Sequence, residues 1–424
     1  MSQYMPHNRY YMPPEWTDHS HTLLVWPDNR ETWPGESLNR AEHVYADILE
    51  ALTPHEKVLL LLANEQAQQA ASAMIQHRNI DWDRIRLIRM PVNDVWIRDY
   101  GPICLISEQG AEGSEQGAEG SERGAEGREQ QQGGRIQRPG SSEQGIKGSE
   151  EWQGSSEEWQ GSSEQRPGGS EQHPGGRGKL AESSRQIVMS NWEYNAWGGK
   201  YPPFDADNAV PGKLARLLDY PVVSTGMVLE GGSIDVNGAG SVLTTESVLL
   251  NPNRNPGMSK NDIEMKLKHF LGVNNVIWLK KGLKGDDTDG HIDDLARFVS
   301  SRTIVTTVSD DTGDPNYETL QENLKILLEA TDAEGRPFEI IKLPLPLTRI
   351  EGSTVDGSSF VPASYTNFYI ANRCVLVPLY DSRYDDAVVN IFRSLFPDRE
   401  IHGIRCNDLV WGQGAIHCIT LQVL

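Results

Sequence analysis

Cysteine is scarce in this chain. Its 424 residues include four, Cys104, Cys374, Cys406 and Cys418. None stands in a C-x-x-C pair, which argues against a structural zinc framework and against a disulfide scaffold. Positive charge is also short: 39 Lys and Arg stand against 60 Asp and Glu, a net charge of −21. That balance argues against nucleic acid or an anionic membrane as the main partner and favours the approach of a small cation. No apolar run reaches the ~18 residues of a membrane span. The start, Met1 to Pro6, lacks the basic-then-apolar pattern of a secretory signal. The chain reads as soluble and cytoplasmic, with a homo-oligomer left open. Apolar content is 37%, low for a globular protein, and the deficit is local.

It lies in residues 107–186, where Gly, Ser, Glu and Gln dominate. Seven-residue repeats run through Ser114-Glu115-Gln116-Gly117-Ala118-Glu119-Gly120 and from Glu151-Trp152 onward. A period of seven invites a coiled coil, but there is no apolar seam and Gly recurs in each period. Such a segment cannot bury enough apolar surface to offset the entropy of ordering, so disorder is expected. Trp152 and Trp159 are its two candidate sticky points for a partner. Ile103–Ile106 before it and Ile187–Trp192 after it both read as strands. The simplest arrangement is a hairpin whose turn has been expanded, because closure entropy grows only slowly with loop length. Residues 1–106 and 187–424 are then one domain and 107–186 an insert. Asp99 and Asn195-Ala196-Trp197-Gly198-Gly199 would meet at the hairpin's other end.

Outside the insert the pattern alternates. Strands are expected over 22–27, 57–63 and 85–90, and helices over 38–52, 65–76 and 207–218. Asn237-Gly238 marks a hairpin, followed by strands at 241–244 and 247–250. Ser259 caps a helix that Gly272 stops, and a strand follows at 276–279. Strand–helix–strand blocks then run over 303–308, 317–331 and 339–343, and again over 367–379, 385–396 and 401–404. Ala387, Val388, Ile391, Phe392 and Leu395 form the buried stripe of the last helix. This is an α/β chain of about five repeated units, and repeats of this size suggest a ring that closes on itself.

Some polar residues do not belong to a core. Gly412-Gln413-Gly414-Ala415-Ile416-His417-Cys418 bends at its glycines, presents a thiol and runs into an alternating strand over 419–423. A buried, inert cysteine is the plainer reading of that stretch. Asn93-Asp94-Val95-Trp96-Ile97-Arg98-Asp99-Tyr100 packs charges with aromatics; a surface turn with an Arg98–Asp99 ion pair would also explain it. Glu230-Gly231-Gly232 and Asp289-Gly290-His291-Ile292-Asp293-Asp294 likewise sit where strands end. A cation site is an alternative for the latter, but no second His lies at a suitable local spacing. His417, one strand position from Cys418, is expected to face away.

Taken together, these residues suit one chemistry. Cys418 would be the nucleophile, His291 the proton shuttle, and Glu230 would orient His291 and raise its pKa. Asp99 and Asp293 would face the nucleophile. Two spare carboxylates would repel a thiolate or an oxyanion, but a guanidinium presents a planar fork of N–H donors that matches them, and its charge would favour the thiolate.

At these same motifs, with Met12-Pro13-Pro14-Glu15-Trp16, Leu229-Glu230-Gly231-Gly232-Ser233 and Gly290-His291-Ile292-Asp293-Asp294 included, the chain resembles the agmatine deiminase family of the guanidine-modifying (pentein) superfamily. The resemblance covers nearly everything outside the insert. It implies a five-bladed α/β propeller with a central site and Cys418 forming an amidino-cysteine intermediate. It implies His291 serving ammonia and then water, Asp99 and Asp293 gripping the guanidinium, Glu230 holding His291 and touching substrate, and Trp96 beside the aliphatic chain. Agmatine would become N-carbamoylputrescine and ammonia, a step toward putrescine, with no cofactor and no metal. The insert and the ending Thr420-Leu421-Gln422, in place of the more usual Thr-Gln-Gln, depart from the family. A deiminase acting on peptidyl arginine is the related alternative. The non-enzymatic one is a silent scaffold whose acidic repeat binds a partner.

Overall fold

The computed structural model describes residues 10–108, 185–351, 354–355 and 357–424. They belong to one compact unit spanning residues 1–110 and 183–424. Apart from its two edges, the 107–186 segment lies outside the described residues, and so do its repeats, Trp152 and Trp159.

Strands in the described residues form five small sheets of three or four strands. The sheets share one plan: a leading strand pairs antiparallel with a second, which pairs parallel with a third reached by a crossover. In the first sheet Ile103–Glu108 leads, antiparallel to Arg185–Glu193, with Val222–Val228 parallel to that. Its register sets Ile103 against Ser190 and Ser107 against Gln186, so the strands on either side of the 107–186 segment pair as a hairpin requires. Ile234–Val236, Ala296–Phe298 and Tyr369–Ile370 lead the next three sheets in the same way. In the fifth, the leading strand is the last of the chain: Thr420–Val423 lies antiparallel to His21–Val25, which is parallel to Lys57–Leu62. The two chain ends are therefore joined by a ladder of hydrogen bonds.

Local chemistry explains most boundaries. The helix Lys260–Leu271 starts at a capping box, with Ser259 Oγ accepting from the Asp262 N–H and the Asp262 carboxylate accepting from the Ser259 N–H. It ends at Gly272 with φ +67°, where a Cβ would come within 2.6 Å of the Tyr10 carbonyl. The crossover helices Ser37–Leu52, Tyr317–Glu329 and Asp385–Leu395 bury apolar stripes against the sheets.

Four expectations need correction. Residues 247–250 are not a strand: Glu246–Leu249 is a helical turn, capped by the Ser247 N–H on Lys280 O at 3.1 Å. The 207–218 helix breaks at Ala209 into Asp205–Asn208 and Val210–Leu218, with Pro211 in the first turn of the second. Ala387 is exposed, and the stripe of its helix centres on Val388 and Phe392. The C-terminal strand alternates in sequence but all four of its residues, Thr420–Val423, are buried, although it is the edge strand of its sheet.

Candidate active site

The common plan of the sheets builds the site. Just ahead of each leading strand the chain makes a short helical turn or loop, and each of these carries a polar residue to one region. Asp99 lies in the turn Ile97–Tyr100, Glu230 caps Gly231–Ser233, and His291 caps Ile292–Asp294, which contains Asp293. Asn367 precedes Tyr369–Ile370, and Cys418 precedes Thr420–Val423.

Gly232 shows how tightly they converge. A Cβ there would meet His291 Nδ1 at 2.6 Å, Asp99 Oδ1 at 2.8 Å and Asp293 Oδ2 at 3.0 Å. Those three groups therefore face one point, and the hydrogen side chain is what leaves room. Cys418 Sγ is 3.8 Å from Asp293 Oδ2 and accepts a hydrogen bond from Asn367 Nδ2 at 3.2 Å. His291 Nδ1 is 3.6 Å from Asp99 Oδ1, and its Nε2 is 4.0 Å from Glu230 Oε2. All five sequence-predicted polar residues are thus brought together, each no more than 7% exposed.

The three carboxylates are held from behind. Asp99 accepts from the Gly232 N–H and from Trp197 Nε1, both at 3.0 Å. The indole reaches it from a left-handed backbone stretch, with φ +54° at Trp197 and +89° at Gly198. Glu230 Oε1 is paired with Arg254 Nε at 2.6 Å, and Arg254 Nη1 reaches Asp289 at 2.6 Å. Asp293 Oδ2 bonds His417 Nδ1 at 2.7 Å, and His417 Nε2 bonds Glu15 at 2.9 Å. Glu15 in turn faces Arg98 at 3.2 Å and Arg297 at 3.0 Å.

Three expectations fail here. Arg98 does not pair with Asp99; its guanidinium points the other way, to Glu15, Gln422 and the His417 carbonyl. His417 is not turned away from the site, because the strand begins only at Thr420 and residue 417 lies in the preceding turn, where strand alternation does not apply. Glu230 does not raise the His291 pKa: burial and the Arg254 and Lys200 charges hold it well below the usual imidazole range. Sequence reasoning also missed Asn367, Arg254 and the supporting roles of Glu15 and His417. For Asn367 a signal existed, since it occupies the position ahead of a leading strand that Asp99, Glu230 and Cys418 hold in other units.

The electrostatics are one-sided. Burial and the Glu230 charge push the Asp99 carboxyl up to about 7. Asp293 and Asp294 are raised by burial and by neighbouring carboxylates. Burial, then Asp293, Asp294 and Asp99, push the Cys418 thiol up. Three deeply buried atoms, Glu230 Oε2, His291 Nε2 and Asp293 Oδ1, have no hydrogen-bond partner among the described residues, although buried polar atoms nearly always have one.

A cavity of 440 Å³ leads to Cys418 and Asp99. Trp96, Trp197 and Trp411 give it apolar walls, and Glu31, Asp94, Asp207 and Asp287 also line it. Among the described residues no Lys, Arg or His lines it. Such a site can bind a flat cation, offer it a sulfur nucleophile and hold a neutral imidazole beside it.

Comparison with known proteins agrees with this chemistry. A family model described as Porphyromonas-type peptidyl-arginine deiminase matches residues 11–119 and 179–423. A protein of Mycoplasma capricolum subsp. capricolum named "Putative agmatine deiminase" is 31% identical over 429 aligned residues, 97% of this chain and 95% of that one. A protein of the same name in Legionella pneumophila subsp. pneumophila is 30% identical over 97% of this chain and 94% of its own. The solved agmatine deiminase of Enterococcus faecalis superposes with a TM-score of 0.73 at 27% identity, over 98% of this chain and 96% of that one. In sequence and in fold alike, the chain belongs to the Porphyromonas-type peptidyl-arginine deiminase family, whose members are hydrolases acting on guanidino groups.

Proposed function

We propose that the protein hydrolyses the guanidinium of agmatine to N-carbamoylputrescine and ammonia, a step toward putrescine, through an amidino-cysteine intermediate on Cys418. One observation carries the reading: Glu31, Asp94, Asp99, Asp207 and Asp287 line the cavity, and among the described residues no Lys, Arg or His lines it. Agmatine is positive at both ends. Free arginine carries a carboxylate that would meet only like charge along that wall, which costs affinity. Among these acids Asp207 is pushed up to about 7 by burial, Asp94 is also raised, and Asp287 takes the Tyr201 hydroxyl as donor. A distal ammonium would offset the cost of ionising these acids.

The chemistry follows from the geometry. Asp99 and Asp293 accept the N–H donors of the guanidinium, and Glu230 Oε2 takes a further one. Trp96 flanks the aliphatic chain. The cation offsets the carboxylates that disfavour the thiolate, so Cys418 Sγ ionises on substrate binding. Its proton passes to His291, which is neutral in the free site. Sulfur bonds to the guanidinium carbon, and the C–N bond to the departing nitrogen breaks as His291 returns the proton and ammonia leaves. Water then gives a proton to His291 and attacks the amidino carbon. The C–S bond breaks as the adduct's hydroxyl proton passes to sulfur, leaving the ureido product and a thiol, and His291 gives its proton up to solvent, where it is taken by the released ammonia.

The paired chain ends and five like-built sheets support a closed five-bladed propeller with the site on its axis. The pairing of 103–108 with 185–193 supports reading 107–186 as an insert that spares the site; replacing residues 109–184 by a short Gly-Ser linker is expected to leave turnover unchanged. The four cysteines are buried and free, which suits a reducing cytoplasm. Among the described residues no helix is long and apolar enough to cross a membrane.

The test is ammonia release from agmatine, free arginine and arginine-containing peptides. Turnover of agmatine is expected, with kcat/KM for arginine at least ~100-fold lower and Cys418→Ala inactive. Turnover of arginine peptides without turnover of agmatine would move the substrate to the peptidyl alternative. No turnover of any of them would leave the silent scaffold.

A further inference from the structure

A second cluster of chemistry-bearing side chains lies among strands and helices that contribute nothing to the cavity. Cys374 opens the strand Cys374–Leu379, and His402 lies on its parallel neighbour Glu400–Arg405. The register sets Cys374 opposite Glu400 and Leu376 opposite His402. Residues two apart on a strand share a face, so Cys374, Glu400 and His402 point to one side of this sheet. The helix Ser37–Leu52 packs over that side, and the turn after it is fixed by the His55 N–H on Leu52 O at 2.9 Å. That turn brings in His55. One ligating atom each from His55, Cys374 and His402 lie within 4.8 Å of one another. The Glu400 carboxylate lies 3.5 Å from His55 Nε2 and 3.6 Å from His402 Nε2.

We propose that His55, Cys374 and His402, with Glu400 as fourth ligand, form a binding site for Zn2+ or a similar thiolate- and imidazole-seeking transition metal ion. The donor set is one sulfur, two imidazole nitrogens and a carboxylate oxygen, which suits a tetrahedral zinc ion. Ligand atoms around such an ion lie about 3.3–3.6 Å apart, so modest side-chain rotations bring this group to bonding distance. Two features of the cluster point the same way. His402 Nε2 is buried with no hydrogen-bond partner among the described residues, though two other potential ligands lie beside it. Among the described residues the buried Cys374 Sγ reaches no closer acceptor than Ala51 O at 3.8 Å. A dication taking the place of the thiol proton would satisfy both and neutralise Glu400. Binding releases that proton to solvent, so affinity falls as pH falls. The ion would tie the end of the first helix to the strands Cys374–Leu379 and Glu400–Arg405, some 320 residues later in the chain.

The experiment uses the full chain carrying Cys418→Ser, so that the reactive thiol cannot be the ligand. Calorimetric titration with ZnCl2 is expected to show one equivalent bound, and Co2+ loading to show sulfur-to-cobalt charge-transfer absorption with tetrahedral visible bands. Adding Cys374→Ser should remove the charge-transfer band. Adding His402→Ala should weaken Zn2+ at least ~100-fold. Because Cys374 is fully buried, His55→Ala at the partly open edge provides a variant that does not disturb the sheet, with the same loss expected. In the otherwise unaltered enzyme these three variants should leave guanidine hydrolysis unchanged, which separates this site from the catalytic one. Absence of binding in the Cys418→Ser chain, or binding that survives His402→Ala and His55→Ala, overturns the proposal.

Discussion

Asp99→Asn separates what the site does for chemistry from what it costs the fold. Asp99 is buried and its carboxyl is pushed from 3.8 up to about 7. A group whose folded pKa exceeds its unfolded one binds its proton more tightly in the native state. Its contribution to stability is therefore fully present below about pH 4, declines as pH rises, and is gone above about pH 7. The interval from 3.8 to about 7 is about three pH units; at 1.36 kcal/mol per unit the penalty in alkali is roughly 4 kcal/mol. Asn stays neutral throughout and resembles the protonated acid, keeping one acceptor for the Gly232 N–H or Trp197 Nε1. The variant should therefore equal the parent near pH 4 and become progressively more stable up to pH 8, by as much as roughly 4 kcal/mol, while losing turnover. The assay is urea unfolding of both proteins at several pH values between 4.5 and 8. Guanidinium is unsuitable as denaturant, being itself a fragment of the proposed ligand. A stability difference that stays flat or shrinks as pH rises would refute the claim that this carboxylate is stored at a cost.

Gly232→Ala places a methyl within 3.0 Å of His291, Asp99 and Asp293; kcat/KM should fall at least ~100-fold with circular dichroism unchanged, and a smaller loss would mean the three groups can part freely. Glu15→Ala leaves Arg98, Arg297 and His417 without their shared buried anion; the cost should be about 3–5 kcal/mol at pH 7, measured by urea unfolding. Because the Glu15 carboxyl is held well below its usual range, that penalty should shrink as pH falls toward and below the unfolded carboxyl value. Ser259→Ala removes one side of a capping box on an exposed helix end and should cost about 1 kcal/mol without touching activity.

How much of this was legible in the sequence depended on how local each cause was. Ser259 and Gly272 bounded their helix correctly because capping is settled within three or four residues. The pairing of Ile103–Glu108 with Arg185–Glu193 could be inferred across nearly eighty residues because two apolar stretches flanked a segment whose composition carries no helix or strand pattern. Residues 247–250 looked like a strand from the apolar run Val248-Leu249-Leu250, but the Ser247 N–H hydrogen-bonds to Lys280 O just past the strand Asn275–Leu279, a contact no local window contains. Arg98 and Asp99 looked like an ion pair because they are adjacent; adjacent residues in a helical turn point apart, and the partner Arg98 finds is Glu15, 83 positions away. Arg254 and Asn367 are ordinary in their own stretches of sequence. Their meaning comes from Glu230 and Cys418, which the fold alone brings to them.

So unfavourable a cluster persists because a cation can relieve it. A buried thiol surrounded by Asp99, Asp293 and Asp294 raises the pKa of each member, and each then tends to keep its proton. In that state sulfur is a poor nucleophile and the acids are poor acceptors. The supporting pairs, Glu230 with Arg254 and Asp293 with His417 and Glu15, fix position but bring no cation to the sulfur itself. Burial is the largest cause of these shifts and the neighbouring carboxylates add to it; a ligand that carries positive charge into the centre opposes all of them at once, because carboxylates and thiolate then face a cation instead of one another. A neutral or anionic molecule cannot do so. On the proposed reaction, selectivity and activation would come from the same charge, and the stability given up by burying the acids would be recovered on binding the cation.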